Sequence, residues 1–350
     1  MTLLNLPTEL LFYILSYLGL KFLRQDIRRL CVSRKWFEIA WQFLLQDISL
    51  TGDSLIEFGR DINYLSRTVS HIITVDIRLQ GFVDWEMLRR EDLFMTPDGA
   101  PPEVIEAWTG RLDVAMRNLA ATLPRCSRLK SLRIKAGPES DEISISREGY
   151  LMANPLASIL SLNQLTSLDI DTAGSNPNRM GGIHLCCSIN SILPSLERLR
   201  CRMDSICEKL LEPPAPGIQV NLKEVLINMS ISQLCSGYYG WYYPEPCRPT
   251  CIREAIMARE KMIKKAVQFA RRLKNPRMVR LVMHGVPSLR MFTYDAVKVR
   301  RMELDIRDPW DADGEEVTHS DWESEKQMLK ITKFIDEPED DEASVVSLET

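Results

Sequence analysis

A recurring leucine pattern constrains the fold of this 350-residue chain more than any other feature of its sequence. Beyond residue 50, short stretches repeat the form Leu-x-x-Leu-x-apolar, so that apolar and polar residues alternate. Such alternation predicts a strand with one buried face. The first four copies start 36, 31 and 26 residues apart, which is near solenoid spacing but irregular. Their apolar residues are Leu129, Leu132 and Ile134; Leu165, Leu168 and Ile170; Leu196, Leu199 and Cys201; and Leu222, Val225 and Ile227.

The pattern extends in both directions along the chain. An earlier strand is predicted at residues 72–79, where Ile73, Val75, Ile77 and Leu79 alternate with polar residues. Segments between the strands, such as 114–123 and 154–162, are predicted to cover the outside of the stacked repeats. Three later groups are predicted to continue the repeats: Met278, Leu281 and Met283; Leu289, Phe292 and Tyr294; and Val299, Met302 and Leu304. A curved α/β slab with an accessible strand surface follows.

Composition limits the expected partners and the expected cellular location of the protein. The net charge of −4 is small, so neither a nucleic acid nor an acidic membrane is an expected partner. Nine cysteines without paired spacing favour thiols in a reducing compartment. The apolar run of residues 10–20 has no basic segment before it and is too short to span a bilayer, so a signal peptide is not expected. The predicted location is the cytoplasm, the nucleus or both.

Three helices are predicted in the first fifty residues. The first begins at Leu6 or Pro7, because proline is tolerated in a first turn, and ends at Gly19. The second carries Leu23, Ile27 and Leu30 on one face. The third begins after the N-cap Ser33, with Val32 and Phe37 at the spacing of a hydrophobic staple. Its apolar side is predicted to hold Trp36, Phe37, Ala40, Phe43 and Leu44.

The first helix is apolar in nearly every direction around its axis, from Leu10 to Leu18. A helix of this kind must be buried on more than one side. A three-helix unit of fifty residues buries too little surface to achieve that alone. Either the rest of the chain or another protein is expected to cover the surplus apolar surface.

The same residues resemble the F-box family. Residues 4–18 read LNLPTELLFYILSYL and residues 27–50 read IRRLCVSRKWFEIAWQFLLQDISL, which supply a Leu-Pro-x-Glu opening, an Ile-Leu-x-x-Leu continuation and a Val-Ser-x-x-Trp third helix. The resemblance is to fungal-type F-box proteins with a leucine-rich-repeat-like C-terminal region, although the asparagine that usually closes each repeat is missing. It covers about fifty residues.

The resemblance implies a partner. In that family, F-box helices pack against helices of a Skp-type adaptor. The adaptor binds a cullin scaffold, which also binds a RING protein. The implied adaptor-binding residues are Leu6, Pro7, Leu10, Ile14, Leu15, Leu18, Val32, Ser33 and Trp36. Self-packing of these helices is the competing interpretation, and we prefer it for Leu30, Phe37 and Ala40.

Several segments of the remaining chain interrupt the repeats. Residues 94–111 are rich in turn residues and predict a surface loop. Residues 252–274 predict a long helix with Ile256, Ile263, Val267 and Ala270 on one side. Its basic face, with Arg259 among its residues, is either solvated or a patch for a nucleic acid or an acidic partner. From about Asp305 the chain is acidic, and Trp310 and Trp322 indicate docking on the body up to about residue 334.

A dense aromatic loop lies at residues 237–251. Such a loop either binds a protein substrate or packs over the end of the sheet. The same region holds Cys235, Cys247 and Cys251, which lack a fourth ligand and a nearby histidine, so no metal and no cofactor are predicted. The candidate substrate-binding residues are Tyr238, Tyr239, Trp241, Tyr242 and Tyr243.

The sequence does not carry a recognisable catalytic motif. The nearest resemblance is Asp169-Ile170-Asp171-Thr172, an aspartate pair at the end of a strand, which keeps a hydrolase as a minor alternative. His71, His184, His284 and His319 form no grouping in sequence. No catalytic residue is therefore predicted.

The predicted fold class is α/β, with a three-helix F-box (residues 1–50), an irregular leucine-rich-repeat-like solenoid (51–334) and an acidic disordered tail (335–350). By resemblance, the expected function is that of a non-catalytic substrate-recognition subunit of a Skp-cullin-F-box ubiquitin ligase. Its partners would be a Skp-type adaptor, indirectly a cullin, and a protein substrate that the sequence does not identify. The alternative is an F-box protein that acts outside a ligase as a scaffold or assembly factor.

Overall fold

The computed structural model describes residues 6–58, 69–79, 102–136, 150–172, 184–203, 206–213, 217–230, 252–284, 290–305 and 308–317, which hold seven α-helices and ten strands. The helices are α1 (Thr8–Gln25), α2 (Arg34–Leu44), α3 (Gly52–Phe58), α4 (Pro102–Thr122), α5 (Ala153–Ile159), α6 (Leu185–Ile192) and α7 (Ile252–Ala270). The strands are β1 (Asp47–Thr51), β2 (Thr74–Leu79), β3 (Ser131–Ala136), β4 (Ser167–Asp171), β5 (Arg198–Arg202), β6 (Glu224–Asn228), β7 (Met278–His284), β8 (Met291–Asp295), β9 (Arg300–Leu304) and β10 (Glu315–Glu316).

All ten strands form one sheet in the order of the sequence, which confirms the α/β class. Strands β1 to β7 are parallel, and β7 to β10 are antiparallel. Parallel neighbours need a crossover between them, and helices α3 to α7 lie in the segments that connect these strands. We call the described residues between 47 and 317 the sheet body.

The register of the parallel strands aligns their buried side chains in two rows. Leu132 pairs with Leu168, then Leu199 and Val225 follow across the sheet, and Val279 continues the row. The second row runs from Ile134 through Ile170, Cys201 and Ile227 to Leu281. Every one of these ten side chains is fully buried. The rows explain the Leu-x-x-Leu-x-apolar pattern, because the last two apolar positions of each copy are the inward residues of a strand.

A series of backbone hydrogen bonds joins the starts of neighbouring parallel strands. We call each strand with the segment that leads into it a unit, and the series of bonds a backbone ladder. The residue before or near the start of each strand donates its N–H to the equivalent carbonyl of the preceding unit, with N···O distances of 2.7–2.8 Å. The ladder satisfies backbone groups that would otherwise be left where the chain turns into the strand. Its carbonyl residues are Gln46, Ile73, Lys130, Thr166, Glu197 and Lys223.

The helices of the sheet body cover one face of the sheet. The buried strand residues form one continuous core with Leu55 of α3, Leu112 and Met116 of α4, and residues of α5, α6 and α7. The prediction that segments 114–123 and 154–162 cover the strands is confirmed, since α4 and α5 contribute to this core. On the other face of the sheet, called the open face below, the outward residues of β2 to β5 are half-buried or exposed, apart from the buried Asp171.

The prediction of a loop over residues 94–111 is wrong for its second part. Helix α4 starts at Pro102, which sits in the first turn where a missing N–H is tolerated. Trp108 is buried and packs edge-to-face on Tyr150, and Leu112 lies four residues further along the same helix face. This apolar face overrides the turn residues before it. Residues 94–101 lie outside the described residues.

The last repeats are also not as predicted. Strands β8 and β9 pair antiparallel, because only Ala296–Val299 separate them, far fewer residues than the dozen or so that a parallel crossover needs. The Asp295 carboxylate accepts hydrogen bonds from the N–H groups of Val297 and Lys298 and so fixes a tight turn. Val299, predicted in a strand, lies in this turn with φ +55°.

In β7 the inward residues are Val279, Leu281 and Met283, so Met278 is not part of the buried row.

Candidate functional site

Residues 6–44, which we call the helical unit, pack around an apolar cluster of their own. Helix α1 is interrupted at Gly19, whose φ of +77° is a left-handed conformation that glycine adopts without strain. The predicted end of the first helix at Gly19 is therefore confirmed. The predicted N-cap is confirmed too, since the Ser33 hydroxyl accepts a hydrogen bond of 3.1 Å from the Trp36 N–H.

Seven residues form the core of the helical unit, and none of them belongs to the core of the sheet body. Trp36 is central among them, because it is 5% exposed and its Nε1–H donates to the Arg29 carbonyl at 2.7 Å. The unit meets the sheet body where the Arg24 guanidinium donates to the carbonyl of Asp47, the first residue of β1. The predicted domain boundary at residue 50 falls inside β1. The core residues are Leu11, Leu15, Leu23, Leu30, Trp36, Ile39 and Ala40.

The nine predicted adaptor-binding residues fall into three groups by exposure. Leu15 and Trp36 are buried inside the unit, so they support the surface from below and do not form it. Leu6, Ile14 and Ser33 are half-buried. The remaining four are exposed to solvent: Pro7, Leu10, Leu18 and Val32.

One face of α1 presents large apolar side chains to solvent. Leu10 is 50% exposed, Tyr13 is 75% exposed and Tyr17 is 90% exposed, and their spacing of three and four residues places them on the same side of the helix. Ile14 and Leu18 lie beside them. We call these five residues the α1 stripe. Leu11 and Leu15 occupy the opposite face, so this helix has apolar residues on its buried side and on its solvent side.

The rest of the helical unit adds three further exposed apolar residues. Val32 and Phe37, predicted as a hydrophobic staple, are 61% and 42% exposed, and Phe37 stacks on Trp41 with ring centroids 5.8 Å apart. Ile27, predicted on a buried face, is exposed because residues 27–30 form a 3₁₀ turn in which only Leu30 points inward. Of the thirteen exposed large apolar residues among those described, seven lie in residues 10–37. This concentration makes the helical unit the strongest candidate for a protein-binding surface.

The open face of the sheet body carries charge instead. In one register row Asp76, Arg133, Asp169 and Arg200 lie on successive strands, so acidic and basic residues alternate across the sheet. The Arg133 Nε–H donates to Asp169 at 3.2 Å. Burial raises the pKa of Asp169 above its ordinary value, although Arg200 and Arg133 act in the opposite direction. Cross-strand pairs of this kind set the register as well as the charge of the face.

The strongest pair on the open face joins β4 and β5. Arg202 donates through Nε and Nη2 to the two oxygens of Asp171, at 2.9 and 2.8 Å. A two-point contact between a guanidinium and a carboxylate is strong and fixes the orientation of both groups. Both members of the aspartate pair that suggested a minor hydrolase alternative are thus bound by arginines.

A C-terminal segment covers the far end of the open face. Residues 308–314, the strap, cross β5 to β7, and the Trp310 ring lies 4.4 Å from the Arg202 guanidinium and 4.8 Å from that of Arg200. Trp310 and Ala312 also pack on a second apolar cluster that includes Leu226 and Val282. The predicted docking of Trp310 on the body is confirmed.

Two hydrogen bonds from one arginine hold the next part of the strap. The buried Arg280 donates through Nη1 to the Ala312 carbonyl at 2.6 Å and through Nη2 to Asp313 at 2.9 Å. Gly314 follows, and a Cβ there would lie 2.1 Å from the Glu303 carbonyl oxygen. Only glycine fits this close approach to β9.

Some predicted residues fall outside the described residues. The aromatic candidates Tyr238, Tyr239, Trp241, Tyr242 and Tyr243 do so, as do the three cysteines at 235, 247 and 251, Trp322 and the acidic tail. The long helix predicted at 252–274 is confirmed as α7. Its Arg259 is buried and donates to the His284 carbonyl at 3.5 Å, so it does not belong to the basic face.

Sequence reasoning missed two features of the molecule. It placed Tyr13 and Tyr17 on an apolar helix but did not name them as binding residues, although apolarity all around α1 carried that signal. It also found no histidine grouping, whereas folding brings His184 next to Cys186 and Cys207. Cys207 lies about twenty residues after the other two, and such a separation has no signature in a single sequence.

Comparison of the sequence with protein-family models and with curated proteins finds no match. None of the helices in the described residues is both long enough and apolar enough to cross a membrane.

Proposed function

We propose that this protein is the substrate-recognition subunit of a Skp-cullin-F-box ubiquitin ligase. In this proposal the helical unit is an F-box that binds a Skp-type adaptor, and the sheet body is a leucine-rich-repeat-like receptor for a protein substrate. The protein itself would not catalyse a reaction. It would hold a substrate lysine near a conjugating enzyme on the same scaffold and so raise their effective concentration.

The α1 stripe is the observation that carries the proposal. A solvent-facing row of two tyrosines and two leucines on one helix is costly to leave in water, and aromatic and aliphatic anchors dominate protein interfaces. The stripe sits in the segment whose Leu-Pro-x-Glu and Ile-Leu-x-x-Leu patterns resemble the F-box. Val32, from the third pattern, is exposed as well.

The charge of the helical unit supports a partner with an acidic surface. Residues 6–44 carry six lysines and arginines against three acidic residues, although the whole chain has a net charge of −4. An excess of basic residues increases the association rate with an acidic partner and restricts the choice of partner.

The architecture of the sheet body supports a receptor role. Among the described residues, helices cover one face of the sheet, and on the other face β2 to β5 carry rows of Arg, Asp and Lys side chains, of which only Arg200 and Arg202 on β5 lie under the Trp310 ring. Because most of these charges pair with one another, a substrate would have to offer its own charges in a matching order. The proposal therefore assigns specificity to charge order across β2 to β5.

Reconstitution of the full chain tests the proposal. The chain would be co-expressed with a Skp-type adaptor and a cullin, and the complex separated by size-exclusion chromatography. We expect the three proteins to co-elute, and we expect Leu10→Asp to remove the chain from the complex without unfolding it. Val297→Asp, an exposed apolar position in the β8–β9 turn, is the matched control and should leave the complex intact.

Two outcomes would contradict the proposal in different ways. If the chain does not bind the adaptor, the F-box assignment is wrong. If the chain binds the adaptor but cullin never joins the complex, the protein acts outside a ligase as a scaffold or assembly factor.

A further inference from the structure

The described residues include a cluster of three side chains of the kinds that bind metal ions. His184 precedes α6, Cys186 lies in the first turn of that helix, and Cys207 precedes the 3₁₀ turn at residues 208–211. One ligand atom from each residue lies within 4.8 Å of the other two. The two elements belong to consecutive crossovers, from β4 to β5 and from β5 to β6.

We propose that His184, Cys186 and Cys207 bind a zinc ion. Imidazole nitrogen and thiolate sulfur are the ligands that zinc prefers, with bond lengths near 2.0–2.1 and 2.3 Å. In a tetrahedral site these lengths place nitrogen and sulfur about 3.6 Å apart. The His184 Nε2 and Cys207 Sγ atoms are 3.5 Å apart, so this edge of the site already has the required length.

The other ring nitrogen of His184 has a partner of its own. The Cys187 Sγ atom lies 3.3 Å from Nδ1, on the opposite side of the imidazole from Cys207. A metal-binding histidine usually donates its second N–H to a carboxylate, a backbone carbonyl or water, which sets the tautomer and the ring orientation. Here the Cys187 sulfur takes the place of that acceptor. The geometry assigns Nε2 to the metal and makes Cys187 a positioning residue.

The backbone around the cluster is held in place without the metal. The Asn190 side-chain amide of α6 donates to the carbonyls of Leu210 and Glu212, at 3.1 and 2.7 Å. These bonds tie α6 to the turn that follows Cys207. The ligands therefore lie on two elements that are already locked together, so little conformational entropy is lost when they converge on an ion.

Burial and charge also suit zinc. Cys186 is buried, whereas His184 and Cys207 are half-buried, so the ion would be shielded on one side and reachable from the other. Two thiolates balance the charge of Zn²⁺, and a neutral site is tolerated in partly buried surroundings. Binding would release the two thiol protons, and water would take the fourth position. The ion would then link α6 to the 3₁₀ turn at residues 208–211.

Metal analysis of the full chain tests this site. Protein purified under reducing conditions would be equilibrated with zinc, dialysed and measured by mass spectrometry for bound metal. We expect about one zinc ion per chain, loss of that ion in Cys207→Ser, and retention in Cys31→Ser, an exposed cysteine of the helical unit. Absence of zinc from the wild type, or equal zinc in Cys207→Ser, would overturn the proposal.

A second measurement needs no variant. Cobalt bound to the wild-type chain should give the visible absorption of a tetrahedral site and the near-ultraviolet band of a thiolate ligand. Zinc should protect the half-buried Cys207 from alkylation and leave the exposed Cys31 reactive. Equal alkylation with and without zinc, or a disulfide between Cys186 and Cys207 in reducing buffer, would contradict the site even if Cys207→Ser failed to fold.

Discussion

The helical unit and the sheet body differ in how many of their large apolar side chains are buried. In the sheet body, apolar residues of the strands form two buried rows, and the opposite strand face carries arginines and aspartates in register. In the helical unit, α1 buries Leu11 and Leu15 but leaves the α1 stripe in solvent. Of the exposed large apolar residues in the described part of the chain, seven lie within residues 10–37 and the other six are scattered over the sheet body.

The sheet body therefore covers or pairs the side chains of its exposed strand face with its own residues, whereas the helical unit leaves a row of apolar side chains uncovered among the described residues. The sheet body satisfies its polar face with its own charges, as in the Arg202–Asp171 pair, and the strap covers the apolar cluster at β6 and β7. The helical unit has no comparable cover among the described residues for the α1 stripe. A partner protein is the cover that we propose.

The largest expected effect comes from the core of the helical unit. Trp36→Ala removes a buried ring and its hydrogen bond to the Arg29 carbonyl, so we expect a loss of about 3–5 kcal/mol in the stability of that unit. Phe37→Ala, at the exposed neighbouring position, should cost far less. Region-resolved hydrogen exchange checks both, and equal losses in α1 and the sheet body would show that the two cores unfold as one.

A matched change in the sheet body probes the other core. Ile170→Ala leaves a cavity in the second buried row, and we expect a loss of about 2–5 kcal/mol in the free energy of unfolding. Asp169→Asn, one residue earlier on the open face, should change stability by about 1 kcal/mol or less. Chemical denaturation measures both variants. A similar cost for the two would contradict the division into a buried row and an open face.

A smaller effect is expected where the strap meets the open face. Trp310→Ala removes ring contacts with Arg200 and Arg202, which are worth about 1–2 kcal/mol together with the lost packing. We expect faster hydrogen exchange in residues 308–317 and unchanged exchange in α2. Unchanged exchange in the strap would mean that its other contacts hold it alone.

The smallest expected effect is a dependence of the strap on pH. The hydrogen bond from Arg280, together with its charge, holds the pKa of Asp313 below its ordinary value of 3.8, and Lys298 and Arg300 add to this. The ionised carboxylate therefore stabilises the docked strap at pH values above 3.8. This contribution is lost as the pH falls below 3.8 through the lowered pKa. Protection of residues 308–317 from hydrogen exchange, taken relative to the intrinsic exchange rate at each pH, should fall at acidic pH in the wild type and show a weaker pH dependence in Asp313→Asn.

Much of the sheet could be predicted because its rows are periodic in sequence. Leu132, Leu168 and Leu199 recur with the alternation of strands, and each of them is a buried residue of a parallel strand. The predicted N-cap Ser33 and the helix end at Gly19 also follow from local chemistry. The C-terminal hairpin could not be predicted in this way, since Met302 and Leu304 alternate as well in antiparallel strands as in parallel ones.

The candidate surface was only partly predictable. All-round apolarity of α1 indicated a surplus apolar surface that either the rest of the chain or another protein would cover, but not which residues form it. Trp36 and Leu15 match the family pattern yet are buried, because α1 and α2 pack on each other along those residues. The strap and the cluster at His184 depend on contacts between distant parts of the chain, for which a single sequence offers no periodic signal.

Adaptor affinity of two matched variants tests most directly whether the exposed apolar residues of the helical unit form a docking surface. Val32 and Val114 are similarly exposed, at 61% and 56%, but Val32 lies in the helical unit and Val114 on α4 of the sheet body. Titration of the full chain with a Skp-type adaptor by calorimetry would compare Val32→Asp with Val114→Asp. We predict that Val32→Asp weakens binding by about tenfold or more, since an unpaired charge would be buried, and that Val114→Asp binds as the wild type does. Equal affinities for the two variants, or no binding by the wild type, would contradict the proposed docking surface.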